Sequence, residues 1–294
     1  MPHRHPTHPR PALSRLARRP AVTGLAALAA VVLSASSAMA APVSITSADE
    51  VYAYTWGTAR VEIAGNYGAP QGFGRSALEV DTVNATDDGA HNEAAAGLWS
   101  RFRIAGQPEA WLLGDLTELS VWAYRDGNSV HKTLPTFKLI MDIGAGAYLE
   151  LELRAQDNPQ LAIGDDTWTK LDLAGDTQWT MEQRGSVFFD SLFPDASKQT
   201  ATLQEIAERF PWGSASLRVD LLYLSQGDVY GGAQAPGSLY TAFDGATLST
   251  ATGSSTFDFE AGAASKDECK NGGWAIGSTW KNQGECIASF VTAP

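Results

Sequence analysis

Short runs of alternating apolar and polar residues recur from Val51 to about residue 250, and this period of two restricts what the chain can fold into. Side chains of a strand point to opposite faces at successive positions, so such runs have one face to bury and one to leave in solvent. The pattern predicts strands at Ser76–Thr82, Gly97–Ile104, Leu116–Arg125, Thr136–Ile143, Ala147–Arg154, Thr167–Leu173, Thr177–Gln183, Ala215–Tyr223 and Ser238–Ser249. Gly144-Ala145-Gly146 and Ala174-Gly175-Asp176 are short enough to be hairpin turns. No helices alternate with these strands, so antiparallel pairing is expected. Two sheets facing one another, in a jelly-roll-like sandwich, would bury the alternating surface. Nine Trp, eight Tyr and eleven Phe, all after the first forty residues, supply the core.

One helix is expected within this all-β frame. Thr202-Leu203-Gln204-Glu205 has the form of a capping box, Leu203, Ile206, Ala207 and Phe210 share a face, and Pro211 ends the run. It reads as a crossover helix or as a lid on one end of the sandwich.

The two ends of the chain differ from the body. Residues 1–40 read as a signal peptide: five arginines and no acid, an apolar run from Ala21 to Leu33, and Ala38-Met39-Ala40 as a cleavage site. The body is expected over 41–250, a small-residue linker over 251–265, and a cysteine-bounded motif over 266–294. In an exported chain Cys269 and Cys286 are expected to pair, closing a short loop worth roughly 3 kcal/mol by the chain-entropy model. Asn271-Gly272-Gly273 and Asn282-Gln283-Gly284 read as turns, which makes the closed loop a stapled hairpin.

Charge and motif content narrow the function. The formal charge is −12, and removal of the leader makes it more negative still. A nucleic-acid or anionic-lipid partner would need a basic surface, so neither is expected, nor is membrane attachment after cleavage. There is no Gly-x-Ser-x-Gly elbow and no His-Glu-x-x-His. Gly72-Phe73-Gly74-Arg75-Ser76-Ala77 imitates a dinucleotide fingerprint but precedes a strand, so no helix N-terminus follows to hold a pyrophosphate. No cofactor is expected. Asp87, Asp88, Asn92 and Glu93, near Asp81, form an oxygen-rich loop that could hold a structural Ca²⁺, although without EF-hand spacing, and a solvated acidic loop is the competing reading.

Alternation groups aromatic residues with charged ones. Tyr148, Glu150, Glu152 and Arg154 lie opposite Leu149, Leu151 and Leu153, while Trp122 and Tyr124 lie opposite Val121 and Ala123. Trp99 and Trp168 belong to similar polar faces. Trp99, Trp122, Tyr124, Tyr148 and Trp168, if carried by one sheet, would form a platform on which sugar rings stack. The preferred reading is non-catalytic recognition of an extracellular polysaccharide or cell-surface glycan. Glu150 and Glu152 carry the alternative, a glycoside hydrolase or lyase, because strand positions i and i+2 set two carboxyls about 7 Å apart. A structural or adhesive protein that binds other proteins is the third reading.

Lys266-Asp267-Glu268-Cys269-Lys270-Asn271-Gly272-Gly273-Trp274 and Lys281-Asn282-Gln283-Gly284-Glu285-Cys286 resemble a C-terminal box, KDxCKxGGW…KNQGxC, found on secreted bacterial proteins. The resemblance implies an extracellular location and no particular reaction. Phe243-Asp244-Gly245-Ala246-Thr247-Leu248 is similar to the last strand of jelly-roll carbohydrate-binding modules.

Overall fold

The structure, a computed structural model, describes residues 43–45, 51–56, 59–85, 93–99, 111–129, 135–144, 147–154, 157–184, 200–210, 217–227, 237–263, 265–271 and 281–291. The expected leader, residues 1–40, lies outside them. Among the described residues, fifteen strands run in chain order: β1 (Val43–Ile45), β2 (Tyr52–Trp56), β3 (Ala59–Ala64), β4 (Ala77–Ala85), β5 (Glu93–Trp99), β6 (Trp111–Leu112), β7 (Leu116–Arg125), β8 (Thr136–Gly144), β9 (Ala147–Leu153), β10 (Thr169–Asp172), β11 (Trp179–Arg184), β12 (Thr200–Ala201), β13 (Arg218–Gly227), β14 (Gly237–Thr250) and β15 (Gly253–Phe259). The α-helices described with them are α1 (Leu203–Arg209), α2 (Lys266–Lys270) and α3 (Gln283–Ser289), and a single 3-10 turn, Leu113–Asp115, leads into β7.

The strands form two sheets. The first holds seven strands and is organised around β14, which pairs with β7 along one edge. Its other edge is divided: Gly237–Phe243 pairs with β4, and Ala246–Thr250 pairs with β15. β3 extends the β4 side, β1 runs parallel to β15, and β10 joins the outer edge of β7. The second sheet holds eight strands in the order β12-β11-β9-β8-β13-β5-β2, with β6 also on β13.

Alternation places one face of each sheet in a common core. Leu119, Val121, Ala123, Phe243, Phe257 and Phe259 from the first sheet meet Phe137, Leu139, Leu151, Trp179, Leu222 and Leu224 from the second. Phe137 and Phe243 touch edge to face across the gap, with ring centroids 5.7 Å apart. Thr241 donates to the Gln226 side chain at 2.8 Å, so the polar pair that spans the buried space is hydrogen-bonded. The chain is therefore an all-β protein built from two sheets.

The expected helix forms as α1. Thr202 accepts from the Glu205 amide, and Glu205 accepts from the Thr202 amide at 3.0 Å. Leu203, Ile206, Ala207 and Phe210 are all buried.

Three expectations are corrected. The turn at Ala174-Gly175-Asp176 does not make a hairpin, because β10 belongs to the first sheet and β11 to the second. Asp172 accepts the Ala174 amide, Thr177 closes back on Asp172, and fully buried Trp179 donates its indole N–H to the Leu173 carbonyl, which turns the chain through the core instead of back along it. The stretch 251–265, expected as a linker, contains β15, whose Phe257 and Phe259 are fully buried. The expected C-terminal hairpin is helical where it is described. Cys269 on α2 and Cys286 on α3 form the disulfide, with Cα atoms 5.8 Å apart. Asn282 caps α3 by accepting from the Glu285 amide at 2.9 Å, and the Glu285 carboxylate accepts from the Lys281 amide. This end unit has its own small core of Ala263, Cys269, Cys286, Ile287 and Phe290.

Two outcomes follow. Phe257→Ala is expected to cost about 3–5 kcal/mol in urea unfolding, since a large ring leaves the shared core; a linker residue would cost almost nothing. Reduction of the disulfide is expected to expose the amides of residues 265–291 in hydrogen exchange while leaving β7, β13 and β14 protected, because the end unit's core is separate from the main one.

Candidate functional site

The five aromatic residues singled out in the sequence divide between the sheets. Trp122 and Tyr124 stand on β7, and Trp168 immediately precedes β10, all in the first sheet. Tyr148 stands on β9 and Trp99 on β5, in the second. Tyr148 is 40% exposed. The backbone of Trp99 pairs with Leu221, and its side chain lies outside the described residues. The five therefore do not share one face.

The first sheet brings its three together on the side away from the core. Val121 and Ala123 point inward and are fully buried, so Trp122 and Tyr124 point outward. Tyr124 and Trp168 lie 5.5 Å apart between ring centroids. A fourth aromatic residue completes the group: Tyr67 stacks on Tyr124 at 5.2 Å with 24° between the planes, and its carbonyl accepts from the Trp168 indole. Tyr67, Tyr124 and Trp168 are each half-buried, leaving part of the cluster open to solvent.

Carboxylates surround the rings. Asp166 accepts from the Tyr124 hydroxyl at 3.2 Å and from the Gly127 amide at 2.7 Å. It is held in the left-handed region at φ 54°, a conformation that Asp tolerates better than most residues. Asp126 accepts from the Asn128 backbone and side chain, while Arg125 bonds Asp165 and the Ile163 carbonyl. Burial and the bond to Asp166 push the Tyr124 phenol up to about 12. Burial, with Asp81, Glu79 and Asp126 nearby, holds Tyr67 well above the ordinary range. Both phenols thus stay neutral as hydrogen-bonding groups.

The connection between β3 and β4, residues 65–76, covers much of this face. Asn66 donates its backbone and side-chain N–H groups to the two oxygens of Glu79, at 2.8 and 2.7 Å. Phe73 and Trp122 lie over Gly245, where a Cβ would come within 2.5 Å of Phe73 and 2.9 Å of Trp122. Arg75 donates its amide to Glu260 at 2.6 Å. Periodicity could not reveal Tyr67 or Phe73, because a Gly- and Pro-rich connection has no face.

The paired glutamates lie on the second sheet. Glu150 is buried against Lys138 at 3.3 Å, with both side chains less than a tenth exposed. Glu152 pairs with Arg154 at 3.3 Å. Both are thus engaged in ion pairs. Asp87, Asp88 and Asn92 of the candidate Ca²⁺ loop lie outside the described residues, and Glu93 is the first residue of β5. Asp81 is fully buried and bonds Arg60 at 2.6 Å; burial raises its carboxyl to about 6 despite that partner. Among the described residues, no group of three or more His, Cys, Asp or Glu is arranged to hold a metal ion, and no helix is long and apolar enough to cross a membrane.

No protein-family model, curated protein or solved structure matches this chain. The site's chemistry rests on its own geometry.

Gly245→Ala is expected to destabilise the fold by about 1–3 kcal/mol in thermal or urea unfolding. Its φ of 54° is strained for any L side chain, and the added methyl must displace Phe73 or Trp122. A neutral effect would mean that the 65–76 connection does not pack on the sheet.

Proposed function

We propose that this chain is an exported, non-catalytic binding protein that recognises a neutral polysaccharide or cell-surface glycan, on a jelly-roll type of frame. The observation that carries the proposal is the run of three half-exposed rings, Tyr67, Tyr124 and Trp168, in contact with one another beside the exposed carboxylate of Asp166. Sugars present apolar C–H faces that stack on such rings, and hydroxyls that bond to carboxylates and amides around them. Asp126, Asp165 and Asp166 would repel a uronate or sulfate, which favours a neutral ligand. The cationic, acid-free leader, the disulfide and the resemblance of the C-terminal box to those of secreted bacterial proteins support export. The ion pairs made by Glu150 and Glu152 favour binding over hydrolysis, since a general acid or nucleophile must reach its substrate.

The test is retention of the purified chain on insoluble neutral polysaccharides, with the supernatant assayed for released sugar. Retention without release is expected. Tyr124→Ala and Trp168→Ala should each weaken it about tenfold or more, and Tyr148→Ala on the other sheet should leave it unchanged. Release of sugar that is abolished by Glu150→Gln would establish the hydrolase or lyase reading instead. Neither retention nor release across the panel would move the assignment to a protein-binding surface component.

A further inference from the structure

The division of β14 between two partners leaves a gap at Asp244 and Gly245, and three carboxyl groups converge there. Asp244 follows the last residue paired with β4, Asp258 lies on β15, and Glu260 follows the end of β15. Each uses its environment incompletely. Asp244 accepts the Gly245 and Phe259 amides through Oδ1, at 2.7 and 3.0 Å, and leaves Oδ2 buried with no hydrogen-bond partner. Glu260 accepts the Arg75 amide through Oε1 and is also favoured by the Ser76 amide, while its Oε2 is buried in the same condition, as is Oδ1 of Asp258. Asp244 and Glu260 are almost completely buried. Three ionised carboxylates with unpaired oxygens at one place would be costly, because charge in a low-dielectric interior must be neutralised or paired.

Glu260 also holds the 65–76 connection. Its carboxylate lies directly against Gly74, in the space that a Cβ there would take, and it accepts the Arg75 amide. The other end of the connection is fixed by Asn66 on Glu79 and by Tyr67 on Tyr124. Among the described residues, the charged groups that act on the gap are Asp244 from β14, Asp258 from β15, Glu260, and Arg75 from the connection; β7 contributes Trp122 and Ser120, beyond which Glu118 bonds Ser120 and Lys170 of β10 pairs with Glu118.

The geometry points to residues 65–76 being a strap that a proton shared among Asp244, Asp258 and Glu260 latches over the outer face of the first sheet, so that losing the proton releases its Phe73–Ser76 end. Burial, reinforced by the neighbouring carboxylates, raises the Asp244 carboxyl to about 8, and burial raises Asp258 and Glu260 as well. The latched form therefore binds the proton more tightly than an open, hydrated one. Its advantage is complete below the ordinary carboxyl range near 4. It declines as pH rises from there and is gone once pH passes about 8. Since the strap carries Tyr67 and Phe73 over Trp122 and Tyr124, release would change access to the aromatic cluster. That consequence rests on the proposed glycan site; the latch itself does not.

Trypsin cleavage at the exposed Arg75, read on the full chain by mass spectrometry, tests the latch. The rate is normalised at each pH to an unstructured peptide. It is expected to rise by up to tenfold per pH unit between pH 6 and 8, the slope of a one-proton linkage, and to level off above about 8. Asp244→Asn keeps the oxygen that accepts both amides and puts an N–H donor in place of the unpaired oxygen, so it should remove the slope and stay resistant. Glu260→Gln is the second variant, with the same expectation, and circular dichroism confirms that each is folded. A flat profile in the native chain would overturn the latch, as would an unchanged slope in either folded variant. Suppression of the slope by millimolar Ca²⁺ would also overturn it, by showing that a cation and not a proton neutralises the cluster. Absence of glycan binding by the native chain, with the cleavage profiles as expected, would count against the glycan site alone.

Discussion

The first sheet depends on how the outer edge of β14 is shared. A strand of this length can satisfy its backbone along one edge with a single partner, β7, but along the other it passes from β4 to β15 at Gly245. Backbone groups at such a passage lose their ladder partners, and a buried orphan amide costs as much as a lost hydrogen bond. Asp244 meets this cost by taking the Gly245 and Phe259 amides on one oxygen. The price is a buried carboxyl with nothing on its other oxygen. Gly245 adopts the left-handed backbone that lets the strand bend there, and its missing side chain is the space that Phe73 and Trp122 occupy.

Much of the frame was legible as periodicity. Leu116–Arg125 coincides with β7, and the strands expected at Thr136–Ile143 and Ala147–Arg154 lie within a residue of β8 and β9. Those runs bury one face cleanly, and their alternation records it. Periodicity does not say which sheet a strand joins, so β10 and β11 read as a hairpin although they belong to opposite sheets. β15 was hidden because Gly253-Ser254-Ser255 has the composition of a linker, even though Phe257 and Phe259 alternate behind it. At Asn282, the sequence of a turn and that of a helix cap are nearly the same, and only the bond to the Glu285 amide decides between them.

The candidate site was legible to the extent that it lies on strands. Alternation placed Trp122 and Tyr124 opposite the buried Val121, but could not join them to Trp168 and separate them from Tyr148. That separation depends on strand order, which comes from long-range pairing. Nor could it show that the outer face is covered by a connection whose residues have no periodic pattern. Glu150 and Glu152 illustrate the converse. Both residues stand on β9, yet their i, i+2 positions do not reveal the cation beside each of them. Lys138 reaches Glu150 from the neighbouring strand β8, and Arg154 reaches Glu152 from two positions along the chain. A buried carboxylate paired in this way is costly to break and adds little to stability, which is the expected condition of a structural ion pair.

The same physics separates the two ends of the covered face. At the Tyr67 end, Asn66 answers both oxygens of Glu79, Asp166 is satisfied by Tyr124 and Gly127, and the rings remain half-exposed. That end is held by hydrogen bonds and ring stacking in which Asp244, Asp258 and Glu260 take no part. At the Phe73 end, the connection rests on a carboxyl group that is buried beside two others and keeps one oxygen unpaired. A segment anchored firmly at one end and conditionally at the other opens as a hinged flap, with Phe73 leaving Trp122 while Tyr67 stays on Tyr124. The ring stack of the proposed glycan site would thus keep its contacts, and Trp122, on the next outward position of β7, would lengthen the aromatic surface once uncovered.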